Sequence, residues 1–292
     1  MKTLISILRS FLHKVRILRW LIFPKKNKLD LFGSSMISLS GRWKTEFDPF
    51  LTYISMFLIM NQRGFKGSLL EFGGGYSTVL AVQVLKRLTK FRSIDINPQK
   101  YFRILNSKKN LKRFSNFVEI VPEITVSFEE VKNSYITLKK EFSKYQFELV
   151  NESLSLYAGD YATELSDVIF RNNENSLLEF IENKDSFKDE VNFYIDNNML
   201  SNEGFCTKLT KDSNQVDAIF YDCGEISSNA EWFATSKLIP LGGYVLLHDI
   251  YYPKSIKNVF IATLISLSDE WEIIFIDKES SQGGLLAQRV SW

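Results

Sequence analysis

Residues 68–78 read SLLEFGGGYST, and no other stretch limits the fold of this chain as tightly. An apolar run, Leu69, Leu70 and Phe72, carries a single acid, Glu71, and ends in three consecutive glycines, Gly73, Gly74 and Gly75. A helix-compatible segment, 76–90, follows at once. A strand that turns sharply into a helix is the repeating unit of a parallel α/β sheet. Glycines lack a Cβ, so the backbone can turn tightly there and come close to a ligand. The free N–H groups of the helix's first turn then face that ligand.

The rest of the chain supplies more units of this kind. FRSIDIN, residues 91–97, reads as a second strand ending in Asp95, 22 positions beyond Gly73. Pro98 fits the first turn of a helix over 98–111, and 117–121 reads as a third strand. VDAIFYD (216–222) and GGYVLLHDI (242–250) read as strands four and five, ending in Asp222 and in His248 with Asp249. A helix over 230–238 separates them. A helix over 255–267, a strand over 271–277 and a last strand over 285–290 complete the pattern. The short connection between the final two makes them antiparallel. The expected architecture is therefore α/β, a Rossmann-like, doubly wound, seven-stranded sheet, mostly parallel with an antiparallel last strand. The 124–215 stretch is long for one crossover. It reads as a helical insertion between strands three and four, with helices at 128–144 and 176–188, forming a cap over the site or a subunit contact.

Upstream, a helix over 50–61 is expected to pack beside the first strand. Residues 1–28 are basic and apolar together, an amphipathic segment too short in its uncharged runs to span a bilayer. It fits either the surface of an anionic membrane or a helix packed on its own domain or a partner subunit. The 292 residues therefore divide into this N-terminal segment and one domain over 29–292. A net charge of only +2 gives no general electrostatic case for nucleic acid. Two cysteines, Cys206 and Cys223, lack metal-site spacing and form no disulfide framework. That usage suits the cytoplasm, with any peripheral membrane contact at the inner face through 1–28.

A dinucleotide fingerprint would read GxGxxG; here Thr78 stands at the third glycine position, which weakens a nicotinamide reading. ExGxGxST, Glu71 to Thr78, instead resembles motif I of the class I methyltransferases that use S-adenosylmethionine. The resemblance covers about 68–111 and 216–290. It implies a cofactor site built from Glu71, Gly73, Gly74, Gly75, Ser77 and Thr78, with Asp95 and the adjacent Ile96 on the ribose side and Asp222 at the border with the acceptor. A carboxylate at Asp95 suits this role because it can accept hydrogen bonds from both ribose hydroxyls. Glu123 and Ile124 stand near where the family touches adenine. The second half is similar to a branch of small-molecule O-methyltransferases. In its catechol-type members, two acids and an asparagine hold a divalent cation such as Mg²⁺. Asp222 and Asp249 match the acids, while Ile250 replaces the asparagine, so a cation site there is doubtful.

Methyl transfer to a hydroxyl needs the proton partly withdrawn, by a base or a hard cation. His248, one of two histidines, sits at the carboxyl edge where open α/β sheets bind ligands. The candidate catalytic residues are His248, Asp249, Asp222 and Glu225. The reading is O-methylation of a small molecule, sugar or glycan. Two alternatives stay open: a nicotinamide-dependent oxidoreductase, and a catalytically silent module of the same fold at a membrane surface. A homo-oligomer is compatible with either.

Overall fold

A computed structural model describes residues 43–96, 117–171, 173, 175–182, 185–196, 204–211, 215–278, 280 and 282–292. The basic segment 1–28 and the helix expected at 98–111 lie outside these residues. The described chain opens with α1 (Trp43–Gln62), β1 (Gly67–Phe72), α2 (Tyr76–Val84), β2 (Leu88–Ile94) and β3 (Val118–Val121). Helices α3 (Phe128–Phe142), α4 (Phe147–Ala158), α5 (Ala162–Phe170), α6 (Ser176–Glu182), α7 (Asp185–Asp196) and α8 (Phe205–Lys211) come next. The chain then returns to the sheet with β4 (Ala218–Tyr221), α9 (Ser228–Thr235), β5 (Tyr244–His248), α10 (Val259–Leu267), β6 (Trp271–Asp277) and β7 (Gly284–Arg289).

The seven strands form one sheet in the order β3-β2-β1-β4-β5-β7-β6. β1 to β5 pair in parallel, and β7 runs antiparallel to both β5 and β6. The strand order reverses between β1 and β4, and a crevice at such a switch point is where open α/β sheets take ligands. Helices cover both faces, so the central strands are apolar along their length: every residue of β4 and β5 is buried.

Side-chain alternation sorts the core into two layers. Leu69, Phe91, Ala218, Phe220 and Leu246 point to the layer shared with α1 and α2. Leu70, Phe72, Ile219, Tyr221, Val245 and Leu247 point to the other, packed by α3, α4, α5, α9 and α10. The same alternation carries Glu71, Asp222 and His248 to the α1 side of the sheet's carboxyl edge.

Several boundaries move from the sequence expectation. The helix after the glycines stops at Val84 rather than 90, and β2 begins at Leu88. The charges Lys86, Arg87 and Lys90 cannot enter the apolar layer that buries Val79, Leu80, Val82, Val84 and Leu85. α1 extends well upstream of residue 50. The stretch 157–161 (YAGDY), whose sequence between the 128–144 and 176–188 helices reads as a loop, instead ends α4 and passes through a single 3₁₀ turn, Gly159–Tyr161, into α5. The 176–188 helix is two helices, α6 and α7. Between β3 and β4, α3 starts at a capping box in which Ser127 and Glu130 satisfy each other's backbone N–H. α3 packs into the main core, with Phe142 edge-on to Phe260 of α10.

Candidate active site

The glycine corner has two different sides. Gly73, at φ +82°, leaves no room for a side chain, because a Cβ there would lie 2.0 Å from the carbonyl oxygen of Asp222. Its glycine therefore serves the close approach of the β1 and β4 ends. A Cβ on Gly75 would meet nothing within 4 Å, so this is where the corner opens. Behind it, Thr78 accepts the Gly75 N–H at 3.0 Å and donates to Glu71 Oε2 at 2.5 Å. Ser93 of β2 donates to the same oxygen at 2.7 Å, and Ser77 supplies a further hydrogen bond to Glu71. Glu71, Ser77 and Thr78 are all buried. They brace the turn from inside, whereas Gly74, Gly75, Asp95 and Ile96 retain exposed surface. Thr78 at the third fingerprint position is thus a tie between strand and turn. Burial drives the Glu71 carboxyl up to about 7, against the pull of its hydroxyl donors.

Asp95 follows the end of β2, its N–H bonded to the Val121 carbonyl at 3.1 Å. Ile96 beside it is 41 % exposed. The turn after β3 is engaged elsewhere: Glu123 pairs with Lys208, and the Ile124 carbonyl accepts the Phe205 N–H at 2.9 Å.

The carboxyl ends of β4 and β5 bring together Asp222, His248 and Asp249, with one ligand-type atom of each within 4.8 Å of the others. His248 Nδ1 lies 3.2 Å from Asp222 Oδ1 and 3.3 Å from Asp249 Oδ1. Two residues that no motif marks complete the group. Tyr53 of α1 donates to Asp222 Oδ2 at 2.8 Å, lies 3.2 Å from His248 Nδ1 and packs edge-on to the imidazole. Lys257 sets its ammonium 3.0 Å from Asp222 Oδ1 and 2.8 Å from Asp249 Oδ2. Asn258 holds the frame: its amide donates to the carbonyls of Tyr221 and His248, and its N–H bonds the Asp249 carbonyl. Asp249 itself takes a left-handed φ of 58°, which aspartate tolerates better than most residues.

This cluster is buried and mostly ionised. Burial works against charge on His248, but Asp222 and then Asp249 outweigh it and push the imidazole up to about 9. Burial would raise both carboxyls, yet Lys257 and His248 hold Asp222 and Asp249 below the usual carboxylate range. Lys257 is raised by the same two acids against its own burial. His248 Nε2 is buried without a hydrogen-bond partner. Glu225 is not part of the group: its carboxylate accepts Ser255 Oγ and the Ile256 N–H, so it anchors the loop that delivers Lys257.

The donor set fits a hard divalent cation poorly. Such an ion takes carboxylate oxygens at about 2.0–2.6 Å, and Asp222 and Asp249 each already give one to an ammonium. An ion among them would stand about 4 Å from Lys257, a repulsion of about 8 kcal/mol at the effective dielectric of a protein site. Ile250, at the position where the resemblance calls for an amide ligand, is fully buried and apolar.

The strand order, with β7 inserted antiparallel between β5 and β6, decides the fold. It is that of the class I methyltransferases. Among solved structures the chain is similar to an O-methyltransferase from Bacillus cereus in complex with SAH, at 13 % identity over 94 % of this chain and 96 % of that one, with a TM-score of 0.45. It is also similar to the O-methyltransferase TomG from Streptomyces achromogenes (10 % identity, 94 % and 95 % covered, TM-score 0.44). A methyltransferase from Geobacter sulfurreducens matches at 9 % identity, 95 % and 96 % coverage and a TM-score of 0.46. No protein-family profile and no curated protein matches the chain. Among the described residues, no helix is long and apolar enough to cross a membrane.

Proposed function

We propose that this chain is an S-adenosylmethionine-dependent methyltransferase that acts on a hydroxyl of a small molecule, sugar or glycan. One observation carries the reading. At the switch point of the sheet, the corner opens at Gly75 with Asp95 on one flank, and the ionised Asp222–His248–Asp249 group stands on the other. A nucleoside cofactor and an acceptor would meet between them.

When bound, the cofactor supplies a methyl group already activated on sulfur, so the protein's task is to position and to move a proton. Asp95 would accept the ribose hydroxyls. Gly74 and Gly75 would let the backbone approach the cofactor, Gly73 seats the corner against the end of β4, and Glu71, Ser77 and Thr78 hold that turn rigid. Because His248 Nδ1 is engaged by two carboxylates, Nε2 is the nitrogen left to exchange a proton with the acceptor. The imidazole is charged at neutral pH, so the base form grows with pH and the rate should rise toward a plateau above about 9. Tyr53, whose own proton is held well past the usual phenol range by burial and Asp222, stays a donor and keeps the ring oriented.

A specific observation favours a second reading. His248 is only 3 % exposed beneath Tyr53, as suits a silent module that keeps the fold and binds without turnover. Transfer of labelled methyl from S-adenosylmethionine to a panel of phenols, sugars and glycans separates the two. Transfer that climbs with pH in the wild type and is lost in His248→Ala supports catalysis. Cofactor binding with no transfer to any fraction of a lysate supports the silent module.

A further inference from the structure

Sequence resemblance places a divalent cation, if any, between Asp222 and Asp249. The structure places a side chain there. The Lys257 ammonium bridges the two carboxylates, bonding Asp222 Oδ1 at 3.0 Å and Asp249 Oδ2 at 2.8 Å. It is not a surface lysine that has swung inward: the residue is 8 % exposed. Its approach is fixed from several sides. The Lys257 N–H donates to Ser255 Oγ, and the Lys257 carbonyl accepts Ser228 Oγ of α9. The next residue, Asn258, ties the ends of β4 and β5 together.

We infer that Lys257 is a built-in cation: it occupies the position of a bridging metal, holds Asp222 and Asp249 against His248, and makes the acceptor side of the site independent of divalent ions. The third corner of the group is consistent with this, because a hard ion prefers oxygen and His248 offers nitrogen. A lysine is one positive charge with three directed N–H donors. Two donors suffice for the two carboxylates, and the third can reach a polar group of an acceptor at the open side of Asp222. Lys257 is accordingly a positioning residue, acting through the carboxylates and through them on His248.

The role in a reaction rests on the methyltransferase reading. The cation chemistry does not, so the two can fail separately. The test uses the full chain and Mn²⁺ or Mg²⁺ alone, without cofactor. For the wild type, neither ion should raise the melting temperature, and the electron paramagnetic resonance signal of free Mn²⁺ should be undiminished. Lys257→Ala vacates the bridge. It should melt lower and regain part of the loss with Mn²⁺, and that gain should vanish when Asp249→Asn is added. Lys257→Arg keeps a cation in place and should stay indifferent to both ions. Binding of Mn²⁺ by the wild type that is abolished in Asp222→Asn would overturn the inference, as would a folded Lys257→Ala that gains nothing from either ion. Should Lys257→Ala fail to fold, the wild-type resonance measurement and Lys257→Arg decide the matter unaided.

Discussion

Two sets of buried acids end neighbouring strands on the same side of the sheet, and they meet opposite fates. Glu71, at the glycine corner, is fully buried and bonded only by neutral hydroxyls. Its carboxyl is pushed up to about 7. Asp222 and Asp249 are also taken from water, yet a lysine and a histidine beside them hold both below the ordinary range. Burial always opposes charge; whether an acid stays ionised depends on a cation within reach. The corner needs shape, and a carboxyl that can shed its charge serves there as a neutral brace. The acceptor side needs fixed charge, and the chain spends a second long-range element on keeping it.

That contrast can be broken by substitution. Within the two sets of acids the largest effect is expected for Lys257→Met, which strands two buried carboxylates and should cost about 3–5 kcal/mol in denaturant unfolding. Glu71→Gln removes charge where none is paired, so it should be nearly neutral below about pH 4.5 and increasingly stabilising as pH rises through about 7. Equal losses in the two variants would dissolve the comparison.

Titration sharpens it. Glu71 has its folded pKa raised from 4.5 to about 7. Its contribution to stability is complete below the unfolded value and is lost as pH rises through about 7, a fall of about 3 kcal/mol. That part of the slope should disappear in Glu71→Gln. His248 has its folded pKa raised from 6.5 to about 9. Its contribution is complete below 6.5 and is lost as pH rises through about 9. The groups facing it are Asp222, Asp249, Tyr53 and, across the carboxylates, Lys257. With only two histidines in the chain, a His13→Asn background leaves one imidazole to follow by nuclear magnetic resonance. It should titrate near 9 in the wild type and well lower in Asp222→Asn, where burial is left less opposed.

The smallest expected change in stability comes from the corner itself. Gly75→Ala adds a methyl to open space at extended φ and should shift unfolding by less than about 1 kcal/mol while weakening the cofactor. Gly73→Ala, by contrast, drives a Cβ into the Asp222 carbonyl at a left-handed φ and should fail to fold stably. If the two behave alike, the open and closed sides of the corner have been misassigned.

How much of this was legible in the sequence follows from range. Strand alternation and the glycine turn are local, so the sheet, the corner, and the edge positions of Asp222, His248 and Asp249 could all be read from short windows. Thr78 was visible, but its tie to Glu71 and Gly75 was not, since a threonine in a helix's first turn has several partners to choose from. Tyr53 and Lys257 lay beyond reach. Tyr53 meets Asp222 across 169 residues, and its stretch reads only as an apolar helix. Lys257 stands 35 residues from Asp222, in a loop whose sequence carries no motif. Glu225 shows the complementary limit: it stands beside the right strand end, but its carboxylate turns toward Ser255 and Ile256. The continuous helix expected at 76–90 failed because apolar periodicity says where a face is buried and not where charges force the chain out of it.

The central claim is that the open glycine corner and Asp95 hold one S-adenosylmethionine between them, and isothermal titration of the full chain tests it directly. The account predicts one site for S-adenosylmethionine, none for NAD, and loss of that site in a folded Asp95→Ala variant. A wild type that stays folded and takes up no S-adenosylmethionine, or an Asp95→Ala variant that binds it as tightly as the wild type, would contradict it.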